Sequence, residues 1–136
     1  MKTLSDYIRL ATFVAPVVAD EDSEPTSSII DTMASGGPFD AALIRANIGT
    51  FGADLTNVKV KIEESNDDDF SDSSETVADG GAEQTATAAG ELIFQVQRTK
   101  RYLRAVITMT ASGAADTAPV SVTGILHNWA KPLPIV

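Results

Sequence analysis

Apolar residues recur at every second position through several short stretches of this chain, the spacing that sends alternate side chains to opposite faces of a β-strand. In 39–48, Ala42, Ile44, Ala46 and Ile48 alternate with Arg45 and Asn47. The pattern is cleaner in 57–62. There Val58, Val60 and Ile62 share one face while Lys59 and Lys61 take the other, which predicts a strand with one side in the core and one in water. Leu92, Phe94 and Val96 alternate with Gln95 and Gln97, and 102–110 and 120–127 are rich in the β-branched and aromatic residues that fit a pleated surface. A further short strand is expected in 29–32. Little helix is expected, a turn or two near 4–10 at most, because no stretch holds an apolar face at helical spacing without a Gly, a Pro or a β-branched cluster.

Turn formers separate these runs: Gly36-Gly37-Pro38, Gly49 and Gly52, Asp79-Gly80-Gly81, Gly90, and Gly113 followed by Pro119. Many short strands divided in this way predict an all-β fold, a single-domain antiparallel β-sandwich or jelly roll. The 136 residues suit one domain. Its expected extent is 27–128, with a long acidic loop near 63–90, an extended N-terminal arm over 1–26 and a C-terminal docking tail over 129–136.

Both flanks are apolar. The arm contains Tyr7, Ile8, Leu10, Phe13 and Val17, and is expected to cross onto a neighbouring subunit as an added strand. The tail, Trp129-Ala130-Lys131-Pro132-Leu133-Pro134-Ile135-Val136, is stiffened by two prolines and cannot join a central strand. Trp129, Pro132, Leu133 and Ile135 read as interface anchors, since proline lowers the entropy lost when an extended segment docks. The alternative is a tail that packs on its own domain.

Composition narrows the function. With no cysteine, disulfides, thiolate metal sites and cysteine nucleophiles are excluded. A net charge of −9 argues against binding nucleic acid or an anionic membrane surface, both of which are held by accumulated Lys and Arg. The longest apolar stretch, 7–19, is broken by Arg9 and Pro16 and is too short to span a bilayer as a helix; Asp6 and Arg9 also spoil its likeness to a secretory leader.

Charge is segregated along the chain. Nine of the 19 acidic residues fall in 63–90, and no Lys or Arg lies between Lys61 and Arg98. Asn66-Asp67-Asp68-Asp69 invites a calcium site, yet the sixth and twelfth positions counted from Asp67 are Asp72 and Ala78, where an EF-hand loop needs Gly and Glu. Either a solvated loop or a different kind of calcium site remains open. The cations gather in Arg98, Lys100, Arg101 and Arg104. Strand alternation would put Arg98, Lys100, Tyr102 and Arg104 on one side as a positive strip, serving either a partner's carboxylates or the chain's own acidic loop. His127 is the one residue with an ordinary pKa near neutrality, and no Ser or Cys motif accompanies it. No catalytic, cofactor-binding or metal-binding residue is therefore assigned, and no enzyme activity or cofactor is expected.

Three stretches carry a resemblance to a known family: Val58-Lys59-Val60-Lys61-Ile62-Glu63-Glu64-Ser65-Asn66-Asp67, Thr99-Lys100-Arg101-Tyr102-Leu103-Arg104-Ala105-Val106, and Val120-Ser121-Val122-Thr123-Gly124-Ile125-Leu126 before the Pro-containing tail. Their order over 28–132 resembles the jelly-roll cement (decoration) proteins of tailed-bacteriophage heads. The resemblance implies a structural protein on the outer surface of the virion, assembled in the host cytoplasm. Its implied partners are the major capsid protein and itself, as a homodimer or trimer. A carbohydrate-binding β-sandwich for adhesion is the alternative, although one Trp and two Tyr are few for stacking on sugars.

Overall fold

The computed structural model describes residues 8–34, 37–71 and 74–128. Among them are nine strands: β1 (Ile8–Ala19), β2 (Ile30–Asp31), β3 (Ala41–Ile48), β4 (Leu55–Ser65), β5 (Thr76–Val77), β6 (Gln84–Ala86), β7 (Gly90–Gln97), β8 (Tyr102–Ala111) and β9 (Ala118–His127). No described residue is helical.

Two antiparallel sheets face each other. The first has the order β1-β9-β3-β7; the second has the order β2-β8-β4-β5, with β6 also paired to β4. Along the chain the strands change sheet at every connection except those joining β4, β5 and β6, and the first and last strands are neighbours. This winding is that of a jelly roll, a β-sandwich whose core lies between the two inner faces.

Alternation decides what fills that core. Ile44 and Ala46 from β3, Val58, Val60 and Ile62 from β4, Phe94 and Val96 from β7, Leu103 and Ile107 from β8, and Val120, Val122 and Leu126 from β9 are all buried. Gly124 is the exception to a filled inner face. A Cβ there would stand 3.1 Å from Phe13 Cε2 and 3.2 Å from Ile44 Cγ1, so the missing side chain makes room for the Phe13 ring.

Three expectations need correction. The apolar residues Ile8, Leu10 and Phe13 do not form an arm outside the sandwich. They belong to β1, which pairs with β9 from Ile8↔His127 to Ala19↔Ala118. Register shifts between Thr12 and Val14 and between Val14 and Val17 break the two-residue period, so that Phe13 and Val14 are buried in succession. Pro16 is tolerated because β1 is an edge strand. The acidic stretch, in turn, is less irregular than its composition implies: Glu63 and Glu64 lie within β4, and β5 and β6 form inside it. Finally, the positive strip is interrupted, since β7 ends at Gln97 and β8 begins at Tyr102, which leaves Arg98, Lys100 and Arg101 in the connection. Tyr7, Trp129, Pro132, Leu133 and Ile135 lie outside the described residues.

β2 covers only Tyr102 and Leu103 of the β8 edge. Beyond it, the Ala105 N–H donates to Ser27 Oγ (3.0 Å) and the Met109 N–H to Glu24 Oε1 (2.8 Å). Side chains of the β1–β2 connection thus satisfy edge donors that a longer strand would otherwise meet.

Candidate protein-contact surface

Strand register sets the outer face of the first sheet. Leu10 stands opposite Ile125, Ile125 opposite Leu43, and Leu43 opposite Gln95. One row along, Thr12, Thr123, Arg45 and Ile93 follow in the same order across the four strands. Leu10, Ile125 and Leu43 therefore lie side by side, with Ile93 diagonal to Leu43. Their exposures are 77%, 38%, 42% and 45%, high for large aliphatic side chains. A shallow groove of about 590 Å³ runs over them, and its charged lining residues are Arg45 and Glu91 alone. Those two pair with each other at 3.5 Å. The surface has the chemistry to shed water against another apolar surface.

The second sheet's outer face is different in kind. Lys61 Nζ and Arg104 NH2 each lie 2.8 Å from the Glu63 carboxylate, and Lys59 Nζ lies 3.6 Å from Glu83. Burial pushes the Glu63 carboxyl up, but the hydrogen bonds from Lys61 and Arg104 outweigh it and hold the group below the usual carboxylate range. The Arg104 guanidinium also sits 4.3 Å from the centroid of the Phe70 ring, fastening the acidic loop to this sheet. Phe70 is buried and takes a left-handed backbone conformation with φ 57°.

The predicted cationic contacts are engaged within the chain. Arg98 donates through Nε to the Phe39 carbonyl, and Lys100 donates through Nζ to the Ser74 carbonyl. Arg101 grips Asp31 with two bonds, Nε to Oδ1 at 2.9 Å and NH2 to Oδ2 at 2.8 Å, and lies over the Tyr102 ring. Every Lys and Arg among the described residues has such a partner. Tyr102 and Arg104 remain half-exposed on β8.

Asp67, Asp68 and Asp69 bring carboxylate oxygens within 4.8 Å of one another. Asp67 and Asp69 accept hydrogen bonds from the Ser71 N–H at 3.0 Å, and the Ser71 hydroxyl donates to Asp67, which closes a local turn. His127 ends β9 opposite Ile8 and Ala41, half-buried.

The Arg101 fork holds the Asp31 carboxyl down at about 2, helped by the Met33 N–H. An unfolded Asp titrates near 3.9. Because the folded value is the lower one, the stabilisation is complete above about pH 4 and is lost as pH falls toward 2. Scanning calorimetry of the wild type should show the melting temperature falling through that window, and Arg101→Gln should make the fall shallower. Parallel acid profiles for the two proteins would refute this linkage.

Alternation marks the inward members of each strand, and Leu43 and Ile93 lie on the outward side. The signal was present: each is an aliphatic residue on the side of its strand that otherwise carries Arg45 and Asn47, or Gln95 and Gln97. Phe70, the single aromatic residue in an acidic run, was a similar sign. No protein-family model matches the chain, and neither does any curated protein or solved structure.

Proposed function

We propose that this jelly roll is a structural, protein-binding module without catalysis. Its role is that of a cement protein on the outer surface of a tailed-phage head, bracing neighbouring major capsid proteins. The observation that carries the protein-binding part of this reading is the exposed Leu10–Ile125–Leu43–Ile93 stripe on a sheet whose opposite side is already a complete core. Adjacent exposed aliphatic side chains of this kind are suited to cover by another protein. Of the stretches that resemble cement proteins, 58–65 lies in β4, 102–106 in β8 and 120–126 in β9, while 66–67 and 99–101 lie in connections. Around a closed shell, modest contacts repeated many times add through effective concentration. The rival carbohydrate reading lacks support from this face, because Leu and Ile rather than aromatic rings line the groove.

The test is retention on purified, undecorated phage capsids. The intact chain should co-sediment with them, and deletion of 129–136 should lower occupancy at least ~10-fold through lost multivalency. Failure of the intact chain to co-sediment refutes the cement role; unchanged occupancy after the deletion removes 129–136 from the contact.

A further inference from the structure

We infer that the outer face of the β1-β9-β3-β7 sheet is where two copies of this chain meet, face to face about a two-fold axis. This rests on reading the aliphatic stripe as a protein-contact surface and names its occupant.

Charge is the first reason. Two copies that each carry −9 repel one another over most of their surface. In the groove over the first sheet the charged groups are Arg45 and Glu91, which sum to zero, whereas the second sheet presents Lys59, Lys61, Glu63 and Arg104 beside the acidic loop. A close approach of like copies is thus least opposed on the first sheet.

Self-complementarity is the second. A two-fold interface sets one patch against itself, so the patch must suit its own chemistry. An aliphatic stripe does so automatically. An Arg paired with a Glu does so as well, because the pair is neutral and offers a group of each sign to the same pair on a second copy. A different protein would need no such symmetry, and register against it is usually fixed by several charges, where this face has one pair.

Size is the third. β3 pairs with both β7 and β9 over eight positions, and four strands lie abreast. At ~3.4 Å per residue and ~4.8 Å per strand the face measures about 27 by 19 Å, or about 500 Å² per copy. The pair buries about 1,000 Å², the lower limit for a specific interface. Association is therefore modest and depends on concentration.

Sedimentation equilibrium of the full chain tests the inference. The mass should rise to that of two chains by ~100 µM, within reach of a micromolar dissociation constant. Leu43→Glu and Leu43→Lys should each sediment as one chain, with a melting temperature within a few degrees of wild type because Leu43 faces outward. Mixing the two variants should restore the two-chain species, which misfolding could not do. A wild type that stays a single chain at ~100 µM, a Leu43→Glu variant that still pairs, or a three-chain mass each overturns the proposal. So does a monomer that pairs only after 129–136 is deleted, since that segment would then be the occupant. A single-chain protein retained on capsids refutes this interface and leaves the cement role standing; a two-chain protein that ignores capsids does the reverse.

Discussion

Replacing Phe13 with alanine should destabilise the protein by about 3–5 kcal/mol, the cost of emptying a buried aromatic site. Leu10→Ala, three residues earlier on the same strand, should change the stability of the single chain by less than about 0.5 kcal/mol. Phe13 is almost fully buried, and its ring packs into the space left by Gly124. Collapse cannot refill that space cheaply, because β1 and β9 are paired on both sides of Phe13, at Thr12↔Thr123 and Val14↔Val122. Leu10 points the other way, into the groove. Urea denaturation measures the contrast: the midpoint should move for Phe13→Ala with the m-value unchanged. Protein concentration must be low and the same for each variant, since any bound partner adds apparent stability to the folded state. If Phe13→Ala cost less than about 1 kcal/mol, β1 would not be part of the core.

That contrast shows where the sequence was legible and where it was not. β3, β7, β8, β9 and the 58–62 part of β4 could be read directly, because each sits with one face in the core and the other toward water, so burial follows sequence parity. At the ends of β4 it does not, since a register shift follows Leu55 and all of 62–65 is buried. β1 could not. Its two register shifts change which face successive residues take, and an edge strand with irregular pairing reads as a merely apolar segment. The same limit applies to the basic cluster. Parity across 98–104 implies one side only if the strand is continuous, and the chain instead crosses between sheets at 98–101.

Long-range polar partners were invisible for another reason. Asp31 and Arg101 are 70 positions apart, and nothing local in either marks the other. Their meeting depends on β2 lying against β8. The aliphatic stripe was legible in principle, residue by residue, since Leu43, Ile93 and Ile125 each occupy the polar side of an alternating strand. What could not be read was their adjacency, which requires the order β1-β9-β3-β7 and its register. The aliphatic stripe is therefore a product of topology more than of any motif.

Glu64→Ala should destabilise the fold by about 2–3 kcal/mol, the loss of charge-assisted hydrogen bonds that leaves donors unmet. Glu64 shares the inward parity of Val58, Val60 and Ile62, yet its carboxylate does not enter the core as an isolated charge. Oε2 accepts the Thr99 N–H at 2.8 Å and the Lys100 N–H at 3.1 Å, and Oε1 accepts the Thr99 hydroxyl at 2.6 Å. Three donors of the β7–β8 connection thus converge on one side chain from β4, which fixes the crossing between the sheets and with it the start of β8. Glu64→Gln keeps the shape but replaces an acceptor oxygen with an N–H that faces donors, so it should recover about half of the loss. Hydrogen exchange at the Thr99 and Lys100 amides gives a second readout, because both should exchange faster in Glu64→Ala while the β3 and β9 amides fall only by the global change. Wild-type stability in Glu64→Ala, or unchanged exchange at those two amides, would mean that the crossing is held by Arg98 and Lys100 on the Phe39 and Ser74 carbonyls instead.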